Sequence, residues 1–421
     1  MRIIYLHQYF NTPDMAGSTR SYEMARRLVA MGHDVQMVTS WCKSDGRTSC
    51  FESVEAGIKV HWLPVPYSNH MGYFERIRAF FRFAVLSARK AASLEADIVF
   101  ATSTPLTIAL PAIYTAKRKK VPMVFEVRDL WPELPIAMGA LNNPLARFFA
   151  KKLELYAYKN ATSIVALSPG MKDGVIRTGY SSLKVAVIPN SSDIKMFRVD
   201  QSLGVDFGSQ RNFLGDNPIL IYTGAFGAIN GVHYMVELAV ELAKLKSNIR
   251  ILLIGDGAKF NEVTDQAEIK GVLNNNLFIE KPIPKKNIPA ALSCSTMASV
   301  LFIDKPEMRA NSANKFFDAL AAGKPVLVNY GGWMHELVMK HDCGLAMWNK
   351  LVPQVASELN IKMNDQDWLL KASISSRKLA EDLFGRNELA SQLEQVLLAA
   401  YEGRPELSAS IAPGSYNLVN S

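Results

Sequence analysis

Apolar residues fall into two alternating patterns along this chain, short unbroken runs and longer stretches with three-to-four-residue spacing. Ile3 to Leu6, Val35 to Thr39, Ile98 to Ala101, Met123 to Val127, Ile164 to Leu167 and Val185 to Ile188 are runs of the first kind, which read as strands buried on both faces. Between the first two, Tyr22, Ala25, Leu28 and Val29 make a helical stripe that Gly32 closes. Strand, helix, strand in this order predicts a parallel sheet flanked by helices. Between Asp193 and Asn217 the periodicity lapses into Asp, Gln, Ser, Gly and Asn, which reads as a linker. The alternation then resumes with strands at Ile219 to Thr223, Ile251 to Ile254, Leu277 to Ile279, Ser299 to Phe302 and Val326 to Val328, and a helix from Val232 to Leu245. The expected organisation is α/β with a first Rossmann-like domain over 1–198, a linker over 199–216, a second Rossmann-like domain over 217–385, a terminal helix over 386–403 and a flexible tail over 404–421.

The stretch from Asn314 to Pro325 carries the clearest chemistry. Phe316, Phe317, Leu320 and Ala321 recur at helical spacing, Gly323 stands where a left-handed cap is wanted, and Pro325 opens the next strand. Asn314 and Lys315 fall at the helix N-terminus, where unpaired amides attract anions, and Asp318 lies one turn later on the same side as Asn314. Phosphates on the amides and a carboxylate on the ribose hydroxyls suit a nucleotide, although an ordinary amphipathic helix has the same spacing. Glycine turns follow two strands of the second half, at Gly224 to Gly231 and Gly255-Asp256-Gly257, and Ala16-Gly17-Ser18 precedes the first helix with Arg20 in its first turn. Polar residues end several strands: His7, Ser103-Thr104, Arg128-Asp129 with Glu133, and Asn190. Ligands of open α/β sheets bind at those carboxyl ends, which makes these residues candidates, while a salt-bridged loop or a satisfied core histidine would use the same letters.

Composition narrows the partners. A chain of 421 residues with 49% hydrophobic and 20% charged residues has material for two globular domains, and a net charge of +8 favours nucleotides, anionic lipid or nucleic acid. No nucleic-acid-binding module or aromatic stacking platform appears. Cys42, Cys50, Cys294 and Cys343 show no close pairing, so a reducing compartment and no metal site are expected. The N-terminus meets His7 too soon for a signal peptide, and no apolar run reaches membrane-spanning length, which points to the cytoplasm. In the segment from Tyr73 to Lys90, Phe74, Ile77, Phe81, Ala84, Val85 and Ala88 form one face, expected in the core. Phe80, Phe83 and Leu86 fall outside it among Arg76, Arg82, Arg89 and Lys90, as on a helix lying on an anionic lipid surface, or simply on a solvated basic face. Lys117 to Lys120 add a second basic cluster.

These features together resemble the GT-B glycosyltransferases, and among them the retaining family 4. The resemblance rests on Gly17 to Arg20, Arg128 to Glu133, Ile188-Pro189-Asn190, Tyr222-Thr223-Gly224, Ile254 to Gly257 and Asn314 to Pro325. The Asp129-Leu130-Trp131-Pro132-Glu133 variant is similar to bacterial surface-polysaccharide enzymes of the N-acetyl-L-fucosamine transferase kind. The resemblance implies two Rossmann-like domains facing a central cleft, with the terminal helix returning to the first. A sugar nucleotide, most simply a UDP-sugar, would bind the second domain with its base and ribose near Ile279 to Ile283 and Asp318. Gly17, Arg20, Gly227 and Lys315 would surround its diphosphate, with Gly224, Ile283 and Asn314 among the other donor-binding residues. His7, Arg128, Glu133 and Asn190 would face the acceptor, a polyprenyl-diphosphate-linked saccharide at the anionic inner-membrane surface. Arg128, Asp129 and Lys315 are the implied catalytic residues. The leaving diphosphate takes the acceptor proton in such enzymes, and no metal or other cofactor is expected. The sequence departs from the family at Ala310, where a sugar-contacting glutamate is usual, at Asp318 in place of the second glutamate, at Ala225 and Asn230 in place of an Arg and a Lys, and at Arg128 in place of a histidine. Lys315, Arg309 and Lys259 are the cations left to meet the leaving group. A sugar-nucleotide epimerase of the same fold and a non-catalytic nucleotide-binding membrane partner are the alternative functions.

Overall fold

The unbroken apolar runs become the central strands of two sheets, each in its own unit of the chain. The computed structural model describes residues 1–15, 17–68 and 71–413. One unit takes Met1–Pro189 together with the chain from Arg386 onward, and the other takes Asn190–Gly385.

The first unit holds an eight-stranded sheet in the order Phe51–Glu55, Ile58–Pro64, Asp34–Trp41, Arg2–Leu6, Ile98–Thr102, Met123–Val127, Ser163–Ala166, Val185–Val187. All neighbours are parallel except the first two, an edge hairpin turned at Ala56 and Gly57 with both φ positive, which the apolar pattern did not announce. On one face of the sheet Ile3, Tyr5, Phe100, Val124 and Val165 pack against Met24, Ala25 and Leu28 of the helix Arg20–Ala30. The same core takes in Leu389, Leu393, Val396 and Leu397 of the helix Arg386–Tyr401. The terminal helix therefore returns to the first unit, as the resemblance implied. The segment expected as a flexible tail is packed at its front: Ser408 and Ile411 are buried, and the Val187 amide donates to the Ile411 carbonyl at 3.1 Å. Positions 414–421 of that expected tail lie outside the described residues.

Neighbouring residues in a strand point to opposite faces, so Phe125, next to Val124, marks the second face, where Tyr158 sits with ring centroids 6.3 Å apart. Three helices flank it, Tyr73–Ser93, Ala109–Lys119 and Pro144–Asn160, the middle one neighbouring the other two. The first is rotated from its expected setting. Ala79, Phe83, Ala84, Ser87 and Ala91 are buried, whereas Phe74, Phe81 and Val85, assigned to the core from sequence, are exposed. Two apolar stripes competed in that helix, and the one lined with small residues won because alanines let it lie close to the sheet.

The second unit holds a parallel six-stranded sheet in the order Leu277–Glu280, Arg250–Asp256, Ile219–Ala225, Met297–Val300, Val326–Val328, Gly344–Ala346. Leu220, Tyr222, Met235, Leu238, Leu253, Leu327, Val355 and Leu359 share its core. The helix Asn314–Ala321 ends at Gly323, whose φ of 66° is the expected left-handed cap. The stretch read as a linker, 199–216, differs from expectation: it contains the helix Gln201–Ser209 and buries Phe207 and Leu214. Gly204 read as a loop residue, but it is what lets this helix approach its neighbour, since a Cβ there would fall 2.6 Å from Ser293 Oγ.

Candidate functional site

In the first unit the loop before the helix Arg20–Ala30 turns at Gly17, φ +128°, over the Asn11 side chain, whose amide donates to the Tyr9 carbonyl at 3.2 Å. Ala16, read with it as a phosphate loop, lies outside the described residues. Arg20 does not reach outward. It is buried against Glu126, donating from Nε at 3.0 Å and Nη2 at 2.8 Å, and it also donates to the carbonyls of Pro189 and Ile188. Glu126, absent from the sequence-based candidates, is fully buried and accepts from Thr102 Oγ1 as well. Burial opposes its ionisation, but the Arg20 and Arg128 guanidiniums outweigh that and hold its carboxyl below the ordinary value. A guanidinium committed in this way has no face left for a diphosphate, so Arg20 is a structural cation and not the donor contact expected of it.

His7 is likewise buried, and both ring nitrogens are engaged. Nδ1 lies 2.6 Å from Ser21 Oγ and Nε2 3.3 Å from Arg128 Nη1. Because Arg128 can only donate, Nε2 is the acceptor and Nδ1 carries the proton toward Ser21. Burial and the Arg128 charge push the His7 pKa well below its ordinary value, so the ring stays neutral. It holds Arg128 in place from behind, a correction to the expected direct acceptor contact. Arg128 Nη2 donates to Ser18 Oγ at 3.2 Å and its amide to Ser103 Oγ at 2.9 Å. Asp129 accepts from Thr104 Oγ1 at 3.1 Å, and burial raises its pKa against the opposing pull of Arg128. Glu133 begins the short helix Glu133–Ala137 and pairs with Arg177 at 3.5 Å. Behind it Glu154, missed from sequence because it sits inside an amphipathic helix, is pushed up to about 7 by burial and the Glu133 charge. Arg128 and Asp129 therefore stand together just past the strand Met123–Val127, whereas Glu133 sits in the following helix, engaged with Arg177 and beside Glu154.

In the second unit Lys315 projects from the first turn of Asn314–Ala321, a helix whose N-cap Ala313 supplies no side-chain cap. Its Nζ is shielded from solvent, has no hydrogen-bond partner among the described residues, and lies 3.9 Å from the centre of the Tyr222 ring. Burial drives its pKa down to about 7. Gly224, φ +144°, makes room for it: a Cβ there would stand 2.8 Å from Nζ. Tyr222 was not a sequence-based candidate, although an aromatic two residues before a strand-end glycine was the available signal. The turn at Gly227 is closed by Asn230, whose Oδ1 accepts from the Gly227 amide at 3.3 Å, so Asn230 caps this loop. The other nominated cations have occupations: Arg309 stacks on Trp348 at 4.6 Å and faces Asp304, and Lys259 pairs with Glu262. Asp318 Oδ1 accepts from Ser192 Oγ at 2.9 Å, and Asn190, expected at the acceptor, instead bonds Ser312 through its amide at 3.1 Å. Both pairs lie within the second unit. Ile283 is half-buried in the turn after Leu277–Glu280, and Ala310 ends a short 3-10 segment with no carboxylate in the place of the missing glutamate. Among the described residues no three His, Cys, Asp or Glu side chains assemble as a ligand set for a metal.

Residues 16–191 match the family model of the glycosyl transferase 4-like domain, and residues 207–378 that of the glycosyl transferases group 1. Glycogen synthase of Mycobacterium tuberculosis is 24% identical over 420 residues, covering 96% of both chains. Among solved structures, sucrose-phosphate synthase of Thermosynechococcus elongatus superposes with a TM-score of 0.76 at 16% identity, over 95% of this chain and 99% of that one. HepE of Anabaena, in complex with UDP and glucose, gives 0.72 at 16% identity over 95% and 100%.

Proposed function

We propose, from the premise that the chain is a two-domain group 1 glycosyltransferase of the GT-B fold, that it moves a sugar from a UDP-sugar to a lipid-linked saccharide with retention of configuration. The observation that carries this reading is the Lys315 Nζ, an unpartnered cation beside a glycine turn and an uncapped helix start. An ammonium without a partner and first-turn amides without a side-chain cap are complementary to a diphosphate. In this reading they hold the leaving group, while Asp318 and the Ile279–Ile283 segment take the ribose and base. UDP in the HepE complex supports the choice of nucleotide. Arg128, Asp129 and Glu133 orient the acceptor, and the Asp129–Glu133 segment favours an N-acetylated deoxyhexosamine in surface-polysaccharide assembly. Charge on the leaving diphosphate is stabilised by position and preorganised donors, with no protein nucleophile required. Ala310 favours one competitor, a nucleotide-binding partner without catalysis, which would bind UDP yet release no UDP from any donor when a polyprenyl-linked acceptor is supplied.

Isothermal titration with UDP, GDP and ADP is the first test, and absence of binding by all three overturns the reading. Binding carries a signature. A lysine whose pKa is about 7 in the free protein takes up a proton when a diphosphate arrives, so UDP affinity is expected to fall as pH rises above 7. The slope approaches about tenfold per pH unit until the pKa of the bound state is passed. Titration at pH 8 in buffers of different ionisation enthalpy reads that uptake directly, and Lys315→Met abolishes it.

Membrane-surface association belongs to the same proposal. No helix of the described residues is long and apolar enough to cross a membrane. Phe74, Arg78, Phe81, Arg82, Val85 and Arg89 form one exposed stripe along Tyr73–Ser93, cations interleaved with apolar side chains. Reversing Arg78, Arg82 and Arg89 to glutamate is expected to shift the protein from the vesicle-bound to the soluble fraction in flotation with anionic vesicles, with an unchanged melting curve.

A further inference from the structure

The helix Pro144–Asn160 exposes side chains that a solvated helix would bury. Leu145 is 63% exposed, Phe148 55%, Phe149 61% and Tyr156 44%. Spaced at i, i+3, i+4 and i+11, they occupy one face, pointing away from the side where Ala157 and Tyr158 meet the sheet. We infer that this face is a second lipid-contacting element, with Phe148 and Phe149 entering the acyl boundary of an anionic bilayer.

Charge selects the occupant. The only carboxylate in the helix is Glu154, which is buried, so the exposed face carries no negative charge. Lys152 Nζ lies 5.4 Å over the Phe148 ring, and Lys117 Nζ, from Ala109–Lys119, lies 5.6 Å over Tyr156. That neighbouring helix contains no acidic residue and ends in the basic cluster Lys117 to Lys120. Aromatic rings flanked by lysines whose stems reach along them is the arrangement of an interfacial helix, where rings sit among acyl chains and ammonium groups meet lipid phosphates. Ala109–Lys119 neighbours both this helix and Tyr73–Ser93, which carries the exposed stripe of cations and apolar side chains.

Direction adds the functional consequence. Pro144–Asn160 follows the strand Met123–Val127 and runs back to Ser163–Ala166, so its first turns lie at the carboxyl end of the sheet. Phe148 and Phe149 are therefore placed toward the end that carries Arg128, Asp129 and Glu133. A headgroup-level acceptor would meet those residues without leaving the bilayer. This inference rests on the lipid-linked-acceptor reading, and it assigns to this helix apolar insertion and to Tyr73–Ser93 the electrostatic attraction.

The test uses the full chain and vesicles of phosphatidylcholine with and without phosphatidylglycerol. Phe149→Trp provides a reporter, whose emission is expected to shift to the blue and be quenched by bromine-labelled acyl chains when phosphatidylglycerol vesicles are added. Phe148→Ser with Phe149→Ser is expected to lower the vesicle partition coefficient by at least about tenfold and to make the residual binding collapse in high salt. Melting curves unchanged from the parent show that the substitutions act at the surface. If the parent floats with vesicles but the reporter stays unquenched, this inference is overturned while membrane association through Tyr73–Ser93 stands. If the parent does not float at all, both fall. A dimer in sedimentation equilibrium that Phe148→Ser with Phe149→Ser dissociates, without vesicle binding, would assign the face to a second copy of this chain and overturn the lipid assignment.

Discussion

Lys315→Ala will leave a folded protein whose turnover is lower by on the order of 10²–10³-fold, the usual cost of losing one preorganised charge that stabilises a leaving group. The expectation follows from what surrounds the ammonium. Arg20 is enclosed with Glu126, Lys259 pairs with Glu262 and Arg309 lies over Trp348, whereas Lys315 Nζ is the cation that stands against Gly224. Release of UDP from a competent donor is the measurement, and Lys315→Arg is expected not to rescue, because the approach of Nζ to 3.9 Å from the centre of the Tyr222 ring is the contact of a compact ammonium that a longer, planar guanidinium does not reproduce. Turnover within about threefold of the parent would remove Lys315 from the mechanism. Stability moves the opposite way. The folded chain gives up the Lys315 proton near pH 7, whereas the unfolded chain keeps it to about pH 10.5. The unfolded state binds more protons between those values, so stability rises with pH across that window, and Lys315→Met will flatten that rise.

Glu126→Ala will be among the most destabilising single substitutions in the first unit, by about 3–5 kcal/mol, because it leaves the Arg20 guanidinium charged, buried and short of its partner. Urea denaturation followed by circular dichroism will show a lower midpoint with a similar slope. Arg20→Met combined with Glu126→Leu should recover most of the loss, since an apolar pair of similar volume carries no desolvation penalty. A single replacement costing under about 1 kcal/mol would mean that water reaches the pair.

The sheets were legible because parallel strands buried on both faces leave an unbroken apolar signature, as at Ile98–Thr102 and Ile251–Ile254. Gly323 was legible for a similar reason, since a left-handed helix cap is a local rule that glycine meets best. What misled was competition between equivalent patterns. The Tyr73–Ser93 helix had two apolar stripes, and only the sheet decided between Phe81 and Phe83. Gly204 and Gly208 imitated a linker while serving close helix contact. Arg20 illustrates the deeper limit. Its place beside a glycine turn suggested a phosphate, but Glu126 lies more than a hundred positions away, and no local window shows a buried partner. The same is true of Asn190 and Ser312.

The return of Arg386–Tyr401 to the first unit sets an order of events during synthesis. The second unit is contiguous and is complete once residue 385 has left the ribosome. The first unit, although made earlier, still lacks Leu389, Leu393, Val396 and Leu397, each a buried side chain that stabilises by about 2 kcal/mol. The nascent chain therefore carries an open apolar sheet face through the whole synthesis of its later half, against the usual habit of domains folding in the order they emerge. Chains arrested after Gly385 will be cut readily by protease within 1–189 while 190–385 resists, and the exposed face is where a chaperone would be held until the last helix arrives.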